Sequence, residues 1–138
     1  MNANVSGYLL GYAGAAVVML VLDAVWLTLT ANALYRPLIG DIMLDGFRLA
    51  PAVAFYVLYL CGVVVFAVHP ALATGRWTTA LVSGAFLGLI AFGTYDLTNQ
   101  ATLKTWPTIL TLTDMAWGCF ITAMASTAGY FAASSIAR

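Results

Sequence analysis

Four stretches of this 138-residue chain are apolar almost without interruption: Tyr8 to Ala31, Ala50 to Val68, Trp77 to Asn99 and Thr108 to Ala133. Only Asp23, Asp96 and Asp114 bring charge into them. Each stretch is close to or above the roughly 20 residues a helix needs to cross about 30 Å of hydrocarbon at about 1.5 Å per residue. The composition agrees, with 63% hydrophobic and 7% charged residues, where a soluble domain carries about 25% charged. One small core could not hide that much apolar surface, so the surface faces lipid. The expected fold is all-α: an integral membrane bundle of four transmembrane helices with short loops, spanning 1–138 as a single domain.

Five Lys and Arg balance five Asp and Glu, which leaves no basic face for nucleic acid. Cys61 and Cys119 both lie in apolar runs and form no CxxC pair, which speaks against a disulfide framework or structural zinc. A lone histidine, His69, cannot support multi-histidine iron chemistry. It reads as an interfacial residue at the end of a segment. No metal and no cofactor are expected.

Punctuation supports the four segments. Pro37 and Pro70 are expected between helices, and Pro51 and Pro107 in first turns, where a missing amide hydrogen costs little. Tyr8, Tyr35, Trp77, Trp106 and Tyr130 fall near segment ends, as an interfacial aromatic belt requires. Ala31-Asn32-Ala33 resembles a signal-cleavage site, but no Lys or Arg precedes the first run and Asp23 lies within it, so a retained helix is expected. The loops are read as Asn32 to Leu49, His69 to Arg76 and Gln100 to Pro107. Arg36, Arg48 and Lys104 on one side outnumber Arg76 and Arg138 on the other, which favours a cytoplasmic first and third loop. Gly7/Gly11, Gly84/Gly88 and Ala125/Gly129 have the four-residue spacing that lets helices approach closely. Asp41 and Asp45, alternating with Arg36 and Arg48, read as a solvated segment.

The placement of the three intramembrane acids carries the functional signal. Asp23 lies toward the end of the first helix, Asp96 toward the end of the third and Asp114 near the start of the fourth. In antiparallel helices those ends share one membrane side. A charged acid at mid-membrane costs about 2.5–3.5 kcal/mol on insertion scales, so such residues usually face the bundle interior and serve a function. Each acid has a companion at helical spacing: Trp26 with Asp23, Trp117 with Asp114, and Asn99 with Asp96, with Tyr95 one turn before Asn99. Carboxyl groups can exchange protons, and aromatic faces can stabilise positive charge. Asp96, Asp114 and Asp23 are therefore the candidate acid/base residues. Trp26, Tyr95, Asn99, Trp117 and Tyr56 are the candidate ligand-binding residues. The competing reading makes Asp96, Asn99, Thr98 and Asp114 a purely structural network, with Asp23 and Asp114 pairing with Arg48 or Lys104 reaching in from the loops.

The run Tyr95-Asp96-Leu97-Thr98-Asn99-Gln100-Ala101-Thr102-Leu103-Lys104, then Trp106-Pro107 and Thr113-Asp114-Met115-Ala116-Trp117-Gly118, resembles the bacterial family catalogued as domain of unknown function 2177. Asp23/Trp26, Tyr35 and Phe55-Tyr56 fit the same pattern. The resemblance implies a small multi-pass protein of the bacterial inner membrane and no established activity, substrate or cofactor. Three functional classes follow. The first is a pocket that binds or isomerises a membrane lipid or small apolar ligand. The second is an accessory subunit with a structural polar network. The third is a small proton-coupled carrier of lipophilic cations, an architecture that works as a homo-oligomer.

Overall fold

In the computed structural model, which describes residues 4–136, the chain is helical from Val5 to Ser134 apart from three short connections. Helix α1 (Val5–Thr30) is capped by Asn4, whose side chain accepts from the Gly7 amide at 3.0 Å. It does not end at Ala31. A π turn (Ala31–Tyr35), a short helix α2 (Arg36–Ile39) and a 3-10 turn (Gly40–Ile42) continue the same rod. Helix α3 (Leu49–Val63) likewise passes through a π turn (Val64–Val68) into α4 (His69–Thr74), which closes on Gly75 in the left-handed conformation at φ 66°. Helices α5 (Trp77–Thr102) and α6 (Thr108–Ser134) are unbroken. Four helical rods are long and apolar enough to cross a membrane: Val5–Ile42, Leu49–Thr74, Trp77–Thr102 and Thr108–Ser134. The fold is an all-α four-helix membrane bundle.

Pro37 and Pro70 correct the sequence reading, since both lie inside spans and not between them. A proline within an α-helix lacks the amide hydrogen and its ring clashes with the carbonyl four residues back. A wider π turn precedes each proline and relieves that clash. Arg36, just before Pro37, donates its amide to Ala31 five residues back, and His69, just before Pro70, does the same to Val64. The helices therefore outrun the expected loops Asn32 to Leu49 and His69 to Arg76. Arg138, counted for orientation, lies outside the described residues.

Helix α6 is the centre of the bundle and buries more residues than any other helix. Without a hydrophobic force between helices in lipid, close packing and hydrogen bonds must hold the spans together. Small residues allow this. Gly7, Gly11 and Ala15 form a buried stripe on α1, and a side chain at Gly11 would come within 3.3 Å of both Ala133 and the Gly129 carbonyl of α6. On α5, Gly84 faces Ser126 and Thr122, and Gly88 lies directly on the Gly118 backbone. Each of the three small-residue pairs in the sequence supplies at least one residue to these contacts: Gly11, Gly84 with Gly88, and Gly129.

The second span is held unevenly. Leu60, Val63, Val68, Ala71 and Leu72 are buried, whereas Leu49, Val53, Phe55, Val57 and Leu58 are exposed. Its first half thus stands off the bundle at the membrane side that carries the acids. Polar contacts tie it there: Tyr56 to Asp23, Tyr12 to the Val57 carbonyl at 3.2 Å, and Tyr59 to Thr122 at 2.8 Å.

Gly88→Val forces a side chain into the Gly118 backbone and is expected to cost about 1–3 kcal/mol or more. Gly62→Ala, whose new methyl meets only the Phe66 ring at 3.9 Å, is expected to change stability by less than about 0.5 kcal/mol. Thermal unfolding in detergent compares the two, and equal stabilities would contradict the packing described.

Candidate functional site

Asp96 lies six residues before the end of α5 and Asp114 six after the start of α6, roughly 10 Å along the helix at about 1.5 Å per residue. Asp23, whose rod runs on to Ile42, is joined to the same region through Trp117. Within a membrane span a carboxyl group needs donors from the protein itself. Asp23 has two. Trp117 of α6 donates its indole N–H to Oδ1 at 3.0 Å, and Tyr56 of α3 donates its hydroxyl to Oδ2 at 2.5 Å. Asp114 accepts on Oδ1 from the Tyr35 hydroxyl at 2.5 Å, and Tyr35 in turn accepts from the Trp26 indole at 3.1 Å. Every one of these donors is a neutral ring. Arg48 and Lys104, the cations considered as partners, are exposed.

The two Asp-x-x-Trp motifs exchange partners. Asp23 is bonded by the tryptophan of the other motif, Trp117, while Trp26 serves Asp114 through Tyr35. Trp26 and Trp117 lie between these arms as a parallel stack, with centroids 4.4 Å apart and planes inclined by 8°. Such a stack is worth about 0.5–1.5 kcal/mol beyond its area. It fixes α1 to α6 at the depth of the acids.

Asp96 differs from the other two. It is 0% exposed, and neither carboxyl oxygen has a hydrogen-bond partner. Its nearest polar neighbour is Asp114 across the α5–α6 contact, itself 3% exposed, and the two carboxyl groups can hydrogen-bond to each other only when one of them carries a proton. Leaving a buried carboxyl without any partner costs about 1–3 kcal/mol, and more if charged, so a proton held between the pair is the arrangement that burial favours.

Thr98 and Asn99, which the competing reading joins to Asp96, bond within their own helix. Thr98 bonds back to the Thr94 carbonyl, and Thr102 back to Thr98 at 2.8 Å. Asn99 closes the helix through its carbonyl, which accepts from the Leu103 amide at 2.8 Å. Of the eight sequence candidates, Asp23, Tyr56, Trp26 and Trp117 join one bonded and stacked cluster that reaches Asp114 through Tyr35; Asp96 adjoins Asp114 without a bond. Tyr95 is 47% exposed and meets Trp106 edge-on at 5.7 Å. The Asn99 side chain makes no hydrogen bond to the acids. Among the described residues no three His, Cys, Asp or Glu side chains gather to hold a metal ion.

A family model described as a predicted membrane protein (DUF2177) matches residues 8–131, nearly the whole chain. The chain belongs to this family. No curated protein and no solved structure matched it. The matched region contains both Asp-x-x-Trp motifs and the whole acidic and aromatic cluster.

Three aromatics expected in an interfacial belt have other roles in the family fold seen here. Tyr35 bonds Asp114, Trp106 donates to the buried Thr111 hydroxyl at 3.1 Å, and Tyr130 is 8% exposed within the core. Tyr35 was hidden by the loop reading. The π turn carries the helix past Ala31 and delivers this side chain to α6. Tyr8, by contrast, stays at the exposed end of the bundle, bonded to His69 at 2.7 Å.

Tyr35→Phe leaves both Asp114 and the Trp26 indole without their partner. It is expected to lower stability by about 1.5–3 kcal/mol, while Tyr8→Phe, at the exposed end, is expected to cost under about 1 kcal/mol. Thermal unfolding followed by tryptophan emission makes the comparison. An unchanged Tyr35→Phe would show that this bond carries no load.

Proposed function

We propose that this protein works as a single four-helix domain of the bacterial inner membrane that binds a small lipid-like molecule at Asp96 and Asp114 and moves a proton on it. The observation that carries the reading is the unpartnered Asp96 carboxyl beside Asp114. No third side chain donates to Asp96, so the pair is not tied into a larger bonded network. Two carboxyl groups this close, out of water, are most stable with one proton between them. Such a pair is an acid and a base at once.

The chemistry that suits it is a double-bond shift in an unsaturated lipid. One carboxyl donates its proton to an alkene carbon, and positive charge develops on the neighbouring carbon. Its partner carboxylate removes a proton from the next carbon, and the double bond re-forms one position along. The pair ends with one proton, as it began, and no oxidant or reductant is consumed. Tyr95, held edge-on by Trp106, lines a groove beside Asp96, where its aromatic face stabilises the developing cation. Asp23, already held by two donors, contributes by fixing Trp117 and Tyr56. Phe92, one turn before Asp96 on α5, packs on Gly118 of α6.

Small molecules that co-purify with the protein, compared by mass spectrometry with Asp96→Asn, test the reading. The expected result is a defined unsaturated or oxygenated lipid held by the native protein and lost in the variant. Identical bulk phospholipid in both would overturn it in favour of the accessory-subunit reading.

A further inference from the structure

Hydrogen-bond donors are distributed unequally over the acid pair. Asp114 accepts the Tyr35 hydroxyl on Oδ1 at 2.5 Å, and the Trp26 indole donates to that same hydroxyl oxygen at 3.1 Å. A donor that itself accepts a hydrogen bond is polarised and donates more strongly. Asp96 has no such support, since both of its oxygens lack a partner. Tyr95 neighbours both carboxyl groups but bonds neither oxygen of Asp96. The difference follows from the π turn before Pro37, which delivers Tyr35 to Asp114 and not to Asp96.

Two facing carboxyl groups that share one proton can hold it in two ways. With the proton on Asp114, Asp96 is a fully buried carboxylate whose sole donor is that proton. With the proton on Asp96, the charge lies on Asp114, which accepts from Tyr35 and from Asp96 together. Hydrogen bonds to a charged form favour it, and burial without them disfavours it, so the second arrangement wins. We propose that Tyr35 is a positioning residue that holds the charge on Asp114 and leaves the proton on Asp96, which makes Asp96 the acid of the pair and Asp114 its base. The inference rests on the acid-pair reading above and assigns the two roles which that reading leaves open. In the double-bond shift Asp96 gives its proton to one alkene carbon, and Asp114 takes one from the carbon beyond the cationic centre. That proton returns from Asp114 to Asp96 along the bond between them, because Tyr35 still supports the charge on Asp114, and the pair ends as it began.

All five acidic residues of the chain are aspartates. Infrared spectroscopy of the full chain, made with aspartate carrying carbon-13 at the side-chain carboxyl, therefore sees every acidic side chain apart from lipid esters. A protonated carboxyl group has a carbonyl stretch that a carboxylate lacks. Asp41 and Asp45 are exposed and ionised at neutral pH, and Asp23 has a donor on each oxygen. One band is thus expected in the native chain. It should be lost in Asp96→Asn and kept in Asp114→Asn. Adding Tyr35→Phe to Asp96→Asn should bring a band back, because Asp114 has then lost the donor that keeps it charged. Tyr35→Phe alone, which needs neither Asn variant to fold, should move the native band to lower frequency as Asp114 draws harder on the Asp96 proton.

A tyrosine that only ties α1 to α6 would cost stability when removed and leave the band where it is. A band unmoved by Tyr35→Phe, or not restored by it in the Asp96→Asn background, would overturn the part given to Tyr35. A band kept in Asp96→Asn, or lost in Asp114→Asn, would overturn the assignment of acid and base while leaving the pair in place. The pair itself fails on a different result: no band in the native chain, or one that survives the double variant Asp96→Asn with Asp114→Asn.

Discussion

A carboxyl group within a membrane-spanning helix must be satisfied by the protein itself, and the rest of this structure is arranged around that problem. Charged partners are not used. Asp23 and Asp114 are instead met by phenol and indole donors from other spans, so each bond also joins helices that lipid alone would not hold together. The indoles of Trp26 and Trp117, stacked at 4.4 Å, complete a rigid plate at the acids' depth. Aromatic donors suit this setting because they bring an apolar body and one polar atom.

Small residues make the arrangement reachable. Gly88 on the Gly118 backbone and Gly11 against Gly129 draw α5 and α1 onto α6, which brings Asp96 beside Asp114 and Trp117 within reach of Asp23. The same tight three-helix contact excludes the start of the second span. That segment is left to three tyrosine contacts, and the gap beside it opens toward lipid. Tight packing on one side and a loose helix on the other are two results of one cause, namely where glycine was available along the chain.

Much of this was legible in the sequence. Apolar length fixed the number of spans, and helix polarity placed three acids on one side. The four-residue spacing of glycine and alanine marked the contacts. What could not be read was partner exchange: spacing puts Trp26 on the face of Asp23, but the stacking of two indoles turns each toward the opposite motif. The helices' true ends were also hidden, because proline is normally a boundary and only the preceding π turn allows Pro37 and Pro70 to sit inside a span. Tyr35 was misplaced for that reason. Asp96 is nominated by the sequence, but its pairing with Asp114, with no third donor, depends on how closely α5 and α6 approach at Gly88 and Gly118.

The central claim is that Asp96 and Asp114 form a proton-holding pair reached from the lipid side. An apolar carbodiimide dissolved in the bilayer tests it directly, because it adds only to a carboxyl group that carries a proton and lies within reach of the hydrocarbon. Peptide mapping after reaction is predicted to find the adduct on Asp96 or Asp114 and not on the exposed Asp41 and Asp45. An adduct confined to Asp23, or none on any of the three intramembrane acids, would contradict the account.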